Sequence, residues 1–108
     1  MKLGGSEDAW ELDDAEERQR NAPDLYRIPS IGERGGLGAG CRVELFFLFR
    51  GRDRHGAFIQ SERLRVTIRE RSANRYVGVL NSSPVSSELL RMGDAVSFEP
   101  RHIASIQR

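Results

Sequence analysis

The chain has 108 residues, of which 38% are hydrophobic and 31% charged, and a formal net charge of +1. Its length fits a single domain with one core. The lone cysteine, Cys41, excludes an internal disulfide framework and a thiolate metal cage. The longest apolar run, Leu45 to Phe49, is far shorter than the ~20 residues that cross a bilayer. The N-terminus lacks the apolar core of a signal peptide, so we expect a cytoplasmic domain without a membrane partner.

Charge is divided unevenly along the chain. Residues 1–17 hold seven acidic residues and one lysine, a net charge of −6, whereas residues 18–108 hold 16 arginines and nine acidic residues, a net charge of +7. Such an asymmetry indicates an acidic segment attached to a basic body. One hypothesis is therefore that the acidic segment lies over a basic face until a partner displaces it.

The N-terminal part is predicted to be a mobile acidic arm followed by a helix. Residues 1–12 are polar and contain glycine, which is typical of a mobile terminus, and Trp10 and Leu12 are its candidates for docking on the body. Asp13 then begins an Asp-x-x-Glu capping pattern, and a helix is expected to end near Asn21 because Pro23 follows. A second capping pattern, Ser30-x-x-Glu33, predicts a short helix. The domain boundaries are thus 1–12 for the arm and 13–108 for one β-rich domain.

Strands dominate the rest of the sequence. Residues 42–50 are apolar on both faces, so we expect the segment around Tyr26 and Ile28 to cover Phe46 and Leu48. A polar turn over 51–56 leads to a long strand over 57–71, with a bulge expected near residues 61–62.

A turn at 72–74 leads to a strand over 76–80, in which Gly78 indicates a bulge or a close backbone approach. A short final strand is expected over 95–98. Together these patterns predict an α+β, mainly β fold. We expect a five-stranded antiparallel sheet, strongly curled or closed into a small SH3-like barrel, with an N-terminal helix packed on it. The alternation of apolar residues predicts a core of Ile28, Val43, Leu45, Phe47, Leu64, Val66, Ile68, Val77, Val79, Leu90, Val96, Phe98 and Ile103.

Several short motifs occur in a characteristic order along nine-tenths of the chain. They are Asn21-Ala22-Pro23, Ile28-Pro29-Ser30, Leu90-x-x-Gly93-Asp94-x-Val96-x-Phe98 and His102-Ile103. In this order the sequence resembles a family of small bacterial domains of unknown function. The resemblance implies a β-rich fold and these domain boundaries, and it brings no activity or cofactor with it.

A search for reactive groups finds no constellation typical of an enzyme. His55, His102 and Cys41 lack the spacings of known metal sites. Cys41 has no recognisable partner base, and a triad of a serine with His102 and Asp94 would need a geometry that a sequence does not define. We therefore predict a non-enzymatic protein with no catalytic residues, no cofactor and no metal.

A row of arginines is the best candidate for a binding face. Arg63, Arg65 and Arg69 project from one face of the long strand, and Arg75 joins them across the hairpin. Neighbours two residues apart are spaced about 7 Å, close to the phosphate repeat of a single nucleic-acid strand. A solvated face paired with acids is the simpler interpretation. The sequence thus predicts a binding module for a protein partner or, alternatively, weak binding of single-stranded nucleic acid; its oligomeric state is open.

Overall fold

A computed structural model describes residues 9–107, of which 48% lie in strands and 15% in helices. The mainly β, α+β fold expected from the sequence is therefore confirmed. In chain order the elements are β1 (Ala9–Leu12), α1 (Ala15–Asn21), α2 (Ile31–Gly35), β2 (Arg42–Asp53), β3 (Gly56–Ser72), β4 (Arg75–Leu80), β5 (Ala95–Phe98), a 3-10 helix (Pro100–His102) and β6 (Ile103–Gln107).

The strands form one antiparallel sheet that curls into a half-barrel. Its order is β1-β2-β3-β4-β5, and β6 pairs with β2. Because β1 pairs with residues 47–50 of β2 and β6 with residues 42–45, the two short strands share one edge of β2. The sheet has six strands instead of the predicted five, and β5 pairs with β4 alone among the described strands, so the curled-sheet alternative is the one observed.

Of the predicted N-terminal arm, the structure describes residues 9–12, and Trp10 and Leu12 pack against the main core there. Residues 9–12 form a strand, in which Trp10 lies opposite Phe49 and Leu12 opposite Phe47. The indole ring of Trp10 also contacts the ring of Phe47, with centroids 5.6 Å apart. Apolar burial therefore outweighs the acidic composition of this segment. The rest of the predicted arm, residues 1–8, lies outside the described residues.

Both predicted helices are present and both have side-chain caps. The carboxylate of Asp14, not that of Asp13, accepts the Glu17 N–H at 3.0 Å and caps α1. Asp13 instead pairs with Arg18 at 2.5 Å. Ser30 and Glu33 form the predicted reciprocal capping box of α2. The capping pattern thus locates each helix start to within a residue.

The β2–β3 hairpin is longer than the sequence suggested. Pairing continues from Arg42–Thr67 to Asp53–Gly56, so the turn contains only residues 54 and 55. No register shift interrupts this pairing at residues 61–62, where a bulge was expected. The bulge lies instead at Arg69, between the Ile68–Gly78 and Glu70–Val77 pairs of β3 and β4.

Alternation along the strands gives the sheet a concave and a convex face. The concave face carries the main core, which includes Val43, Leu45, Phe47, Leu64, Val66, Ile68, Tyr76, Leu80, Leu90, Val96, Phe98 and Ile103. On the convex face, Phe46 forms a second cluster with Ala15 and Ala104. Tyr26 and Ile28 pack against it, as expected for Phe46, and the Tyr26 and Phe46 rings make an edge-on contact at 5.5 Å. Ile28 is therefore half-buried in this second cluster and does not belong to the main core. Leu48, which was expected under the same cover, is half-buried and lies outside this cluster.

Val77 and Val79 do not lie in the predicted core. They are half-buried, whereas Tyr76, Gly78 and Leu80 are directed to the concave face. The bulge at Arg69 changes the register between β3 and β4, which places the alternate set of β4 residues inside. Gly78 then lies so close to β3 that a Cβ atom there would be 2.5 Å from Cγ1 of Val66, which confirms the predicted close approach.

Among the described residues, none of the helices combines the length and apolar character needed to cross a bilayer.

Candidate binding surfaces

The four arginines predicted as a binding row lie on the convex face. Arg63, Arg65 and Arg69 belong to β3, and Arg75 begins β4. All four are exposed. The sheet therefore places them on one surface, but their side chains are not equivalent.

Two of the four are held by carboxylates. Nε of Arg63 lies 2.6 Å from Glu44, and its guanidinium is 5.5 Å from the ring centre of Phe46. Nη1 of Arg75 lies 2.9 Å from Glu99. Hydrogen bonds from Arg101, which has the larger effect, and from Arg75 lower the pKa of Glu99. Arg63 and Arg75 are thus parts of ion pairs that join neighbouring elements.

The other two arginines, Arg65 and Arg69, lie near a third, Arg42, which was not among the predicted binding residues. Arg42 of β2 lies directly opposite Thr67, and Arg65 and Arg69 flank Thr67 along β3. Within residues 9–107, none of Arg42, Arg65 and Arg69 forms an ion pair. We call these three residues the arginine cluster. Arg42 was missed because only the hairpin register places it beside β3.

Four of the five acidic residues that the structure describes within residues 1–17 pair with arginines outside this cluster. Glu11 pairs with Arg50 at 3.4 Å and Glu16 with Arg34 at 2.7 Å. Asp14 pairs with Arg101 at 3.1 Å. The carboxylates of Glu11, Asp14 and Glu16 therefore join other elements, which removes them from the hypothesis of an acidic shield. Glu7 and Asp8, which belong to the same hypothesis, lie outside the described residues.

A second surface is the edge of β3 that extends beyond β4. β4 pairs only with residues 66–72 of β3, and no described strand pairs with this edge over residues 57–63. Backbone groups alternate between the two edges of an antiparallel strand. On this edge the N–H of Arg65 donates to the Ser82 hydroxyl, and its C=O accepts the Asn81 N–H. Because Ala57, Ile59 and Ser61 are separated from Arg65 by even numbers of residues, their N–H and C=O groups point to the same edge of β3. We call residues 57–61 the open edge.

Apolar side chains lie at the open edge on both faces of the sheet. Ile59, which is 65% exposed, lies on the convex face. On the concave side, Phe58 and Leu89 are 38% and 42% exposed and border a groove of about 360 Å³ whose floor includes Phe49. The length difference between the predicted strands 57–71 and 76–80 was the sequence signal for this edge.

The loop that carries Leu89 is fastened to β3 through Glu62. The Glu62 carboxylate accepts hydrogen bonds from the backbone N–H groups of Val85 and Ser86. Burial opposes ionisation of Glu62, but these hydrogen bonds outweigh it and the pKa is lowered. A charged Glu62 therefore holds the wall of the groove in place.

His102 has a structural environment. It is 7% exposed, and its Nδ1 accepts the Glu99 N–H at 2.9 Å. Burial, reinforced by the neighbouring charge of Arg101, lowers its pKa, so the ring is neutral at pH 7. The bond to Glu99 uses the nitrogen that a general base would need.

The other candidate groups also have local roles. Asp94 accepts the Arg91 N–H at 2.8 Å within a turn, and Cys41 is a half-buried free thiol beside the main core. Over residues 9–107, no three His, Cys, Asp or Glu side chains are grouped so as to hold a metal ion. The prediction of a non-enzymatic protein remains a prediction.

Comparisons with known proteins found no match to this chain among family models, curated proteins or solved structures. The resemblance to a family of bacterial domains remains an expectation from the sequence.

Proposed function

We propose that this protein is a binding module that receives an extended segment of a protein partner along the open edge of β3. The observation that carries the proposal is the outward edge of Ala57, Ile59 and Ser61, which no described strand pairs with, beside exposed Phe58 and Ile59. An exposed strand edge is a template on which another chain can add a strand. Main-chain hydrogen bonds supply affinity in this mode, and pockets for alternate side chains supply specificity.

The side chains around the open edge indicate the kind of segment that fits. Successive residues of an added strand point to opposite faces of the sheet. One partner side chain would therefore enter the groove between Phe58 and Leu89, and its neighbour would lie beside Ile59 on the convex face. A segment with two adjacent apolar residues satisfies both positions. The groove volume of about 360 Å³ is at the lower end of the range for ligand sites, which suits one side chain.

A proline at Ile59 tests this proposal because the outward N–H is the only backbone hydrogen-bonding group that it removes. Proline is tolerated at strand edges where its nitrogen faces away from the neighbouring strand. Ile59→Pro should keep the β2–β3 pairing, whereas Ile59→Val keeps the outward N–H and an apolar side chain. Because both variants keep an apolar residue at position 59, the pair tests whether the outward N–H is needed.

The experiment selects peptides from a random library on the intact protein and measures their affinity for each variant. We expect the peptides to shift the amide NMR signals of Ala57, Ile59 and Ser61 and to bind Ile59→Pro at least tenfold more weakly. Ile59→Val should stay within threefold of the original protein. Equal affinity for Ile59→Pro, or failure to select any peptide, would contradict the proposal.

Weak binding of single-stranded nucleic acid remains the alternative. It is favoured by exposed Arg65 and Arg69, which lie on one face of a strand. It is weakened because Arg63 and Arg75 form ion pairs with Glu44 and Glu99, so two of the four arginine charges are already partly neutralised. β3 and β4 also present Thr67, Val77 and Val79 beside the arginines instead of the aromatic rings on which bases stack.

A further inference from the structure

The arginine cluster differs from the other arginines of the described chain in its setting. Arg42, Arg65 and Arg69 surround Thr67, and each is exposed. Residues on diagonally related positions of neighbouring strands are about 7–8 Å apart at the backbone, within reach of long side chains. Three guanidinium groups can therefore converge above the Thr67 hydroxyl.

The bulge contributes to this arrangement. Arg69 is the extra residue of β3 between the Ile68–Gly78 and Glu70–Val77 pairs. A bulge bends its strand and redirects a side chain, and bulges are common beside functional sites. Regular alternation places Arg65, Thr67 and Arg69 on the convex face, and the bulge leaves Arg69 without a partner on β4.

Two carboxylates lie near the cluster, and they set the charge that a ligand must bring. Glu44 is directly opposite Arg65, but its Oε1 is bonded to Arg63 at 2.6 Å and to Ser105 at 2.9 Å. Glu70 follows Arg69 and is exposed. Since these two charges offset part of the arginine charge, a ligand with one negative charge gains little. A ligand with several negative charges matches the remaining positive field.

We propose that Arg42, Arg65 and Arg69 form a binding site for a small oligophosphate ligand. Guanidinium groups present paired donors that match phosphate oxygens, and charge-assisted bonds of this kind are the stronger ones. The Thr67 hydroxyl supplies a further donor at the centre of the site. This site lies on the convex face and is separate from the groove beside the open edge, so it does not depend on the proposed function.

The test measures binding of tripolyphosphate by calorimetry at low ionic strength. The triple variant Arg42→Gln, Arg65→Gln, Arg69→Gln removes the cluster. A matched triple, Arg20→Gln, Arg27→Gln, Arg91→Gln, changes three exposed arginines elsewhere and has the same net charge. We expect affinity to fall at least tenfold in the first triple and less than twofold in the second. Tripolyphosphate should also shift the Nε–H NMR signals of Arg42, Arg65 and Arg69.

Two results would overturn the proposal. An equal loss in both triples would show that tripolyphosphate responds only to net charge. Oligonucleotide binding that is lost in the first triple but survives excess tripolyphosphate would assign the cluster to strand tracking, with a salt dependence that grows with the number of phosphates contacted. Ile59→Pro should bind tripolyphosphate as the original protein does, so failure of the peptide proposal would leave this result unchanged.

Discussion

The guanidinium of Arg34 in α2 lies 2.7 Å from the carboxylate of Glu16 in α1. This ion pair joins the two helices across 18 residues of sequence. The same side chain donates from Nε to the Pro29 carbonyl at 2.8 Å and from Nη1 to the Pro100 carbonyl at 3.1 Å. Arg34 is 5% exposed, so this one residue connects α1, α2 and the 3-10 helix in a largely dry setting.

Replacing Arg34 should therefore destabilise the fold. Arg34→Ala leaves the Pro29 and Pro100 carbonyls and Glu16 without their donor, and we expect the free energy of unfolding to fall by about 2–3 kcal/mol. Glu16 is 31% exposed at its side chain, which keeps the loss below that of a fully buried pair. Urea denaturation measures the change. Arg50→Ala is the control, because its pair with Glu11 is half-exposed, and a loss of equal size there would contradict this account.

The close approach at Gly78 gives a second prediction. A Cβ atom would lie 2.5 Å from Cγ1 of Val66 and 2.7 Å from the Thr67 carbonyl oxygen, and the backbone contact cannot be relieved by a rotamer change. Gly78→Ala should lower the free energy of unfolding by about 1–3 kcal/mol, as overpacking does. Gly38→Ala, where nothing lies within 4 Å of the added atom, should be nearly neutral. Thermal denaturation of the two variants would contradict the prediction if they melted together.

These contacts also explain which buried residues could be predicted from the sequence. Alternation along β3 predicted correctly that Leu64, Val66 and Ile68 are buried and that Arg65 and Arg69 are exposed. In β4 the sequence offers two alternating sets, and the β-branched Val77 and Val79 favoured the wrong one. The buried set is Tyr76, Gly78 and Leu80. Tyr76 favours it because its hydroxyl donates to the Arg34 carbonyl at 2.7 Å and accepts the Leu37 N–H at 3.3 Å. Such distant partners leave no local signal.

The candidate surfaces were predictable to a similar degree. The exposed arginines of β3 follow from a period of two residues. Their ion pairs do not follow from this period. Glu99 reaches Arg75 through the register of β4 and β5, in which Tyr76 lies opposite Phe98. Glu44 reaches Arg63 along a diagonal of the sheet. Arg42 could be placed beside Thr67 once the two-residue turn is known, because turn length fixes the register of a hairpin.

Glu62 should control the loop that borders the groove. Its folded pKa is lowered, so its contribution to loop anchoring is present above the unfolded value of about 4.5 and is lost as pH falls through the lower folded value. The amide NMR shifts of Val85 and Ser86 should follow this titration. At neutral pH, Glu62→Gln should speed hydrogen exchange at both amides, whereas Glu88→Gln, which removes the same charge from an exposed site, should not. Equal exchange in the two variants would contradict the anchoring role.

His102 should make stability depend on pH in a different range. Its folded pKa is lowered by burial, so the unfolded chain binds the proton more readily. Stability is therefore full above the unfolded pKa of about 6.5 and declines as pH falls below it, with a slope that approaches about 1.4 kcal/mol per pH unit until the folded pKa is reached. Protonation of Nδ1 would also remove the acceptor for the Glu99 N–H.

His102→Asn isolates this contribution, because an amide oxygen can accept the same N–H and does not titrate. We expect the free energies of unfolding of the original protein and the variant to differ by a constant amount above pH 7 and to converge as pH falls from 6.5 to 5. The carboxylates with lowered pKa, those of Asp14, Glu62 and Glu99, titrate at lower pH and are present in both proteins, so they cancel in the comparison. Parallel curves over this range would show that His102 is not the titrating group.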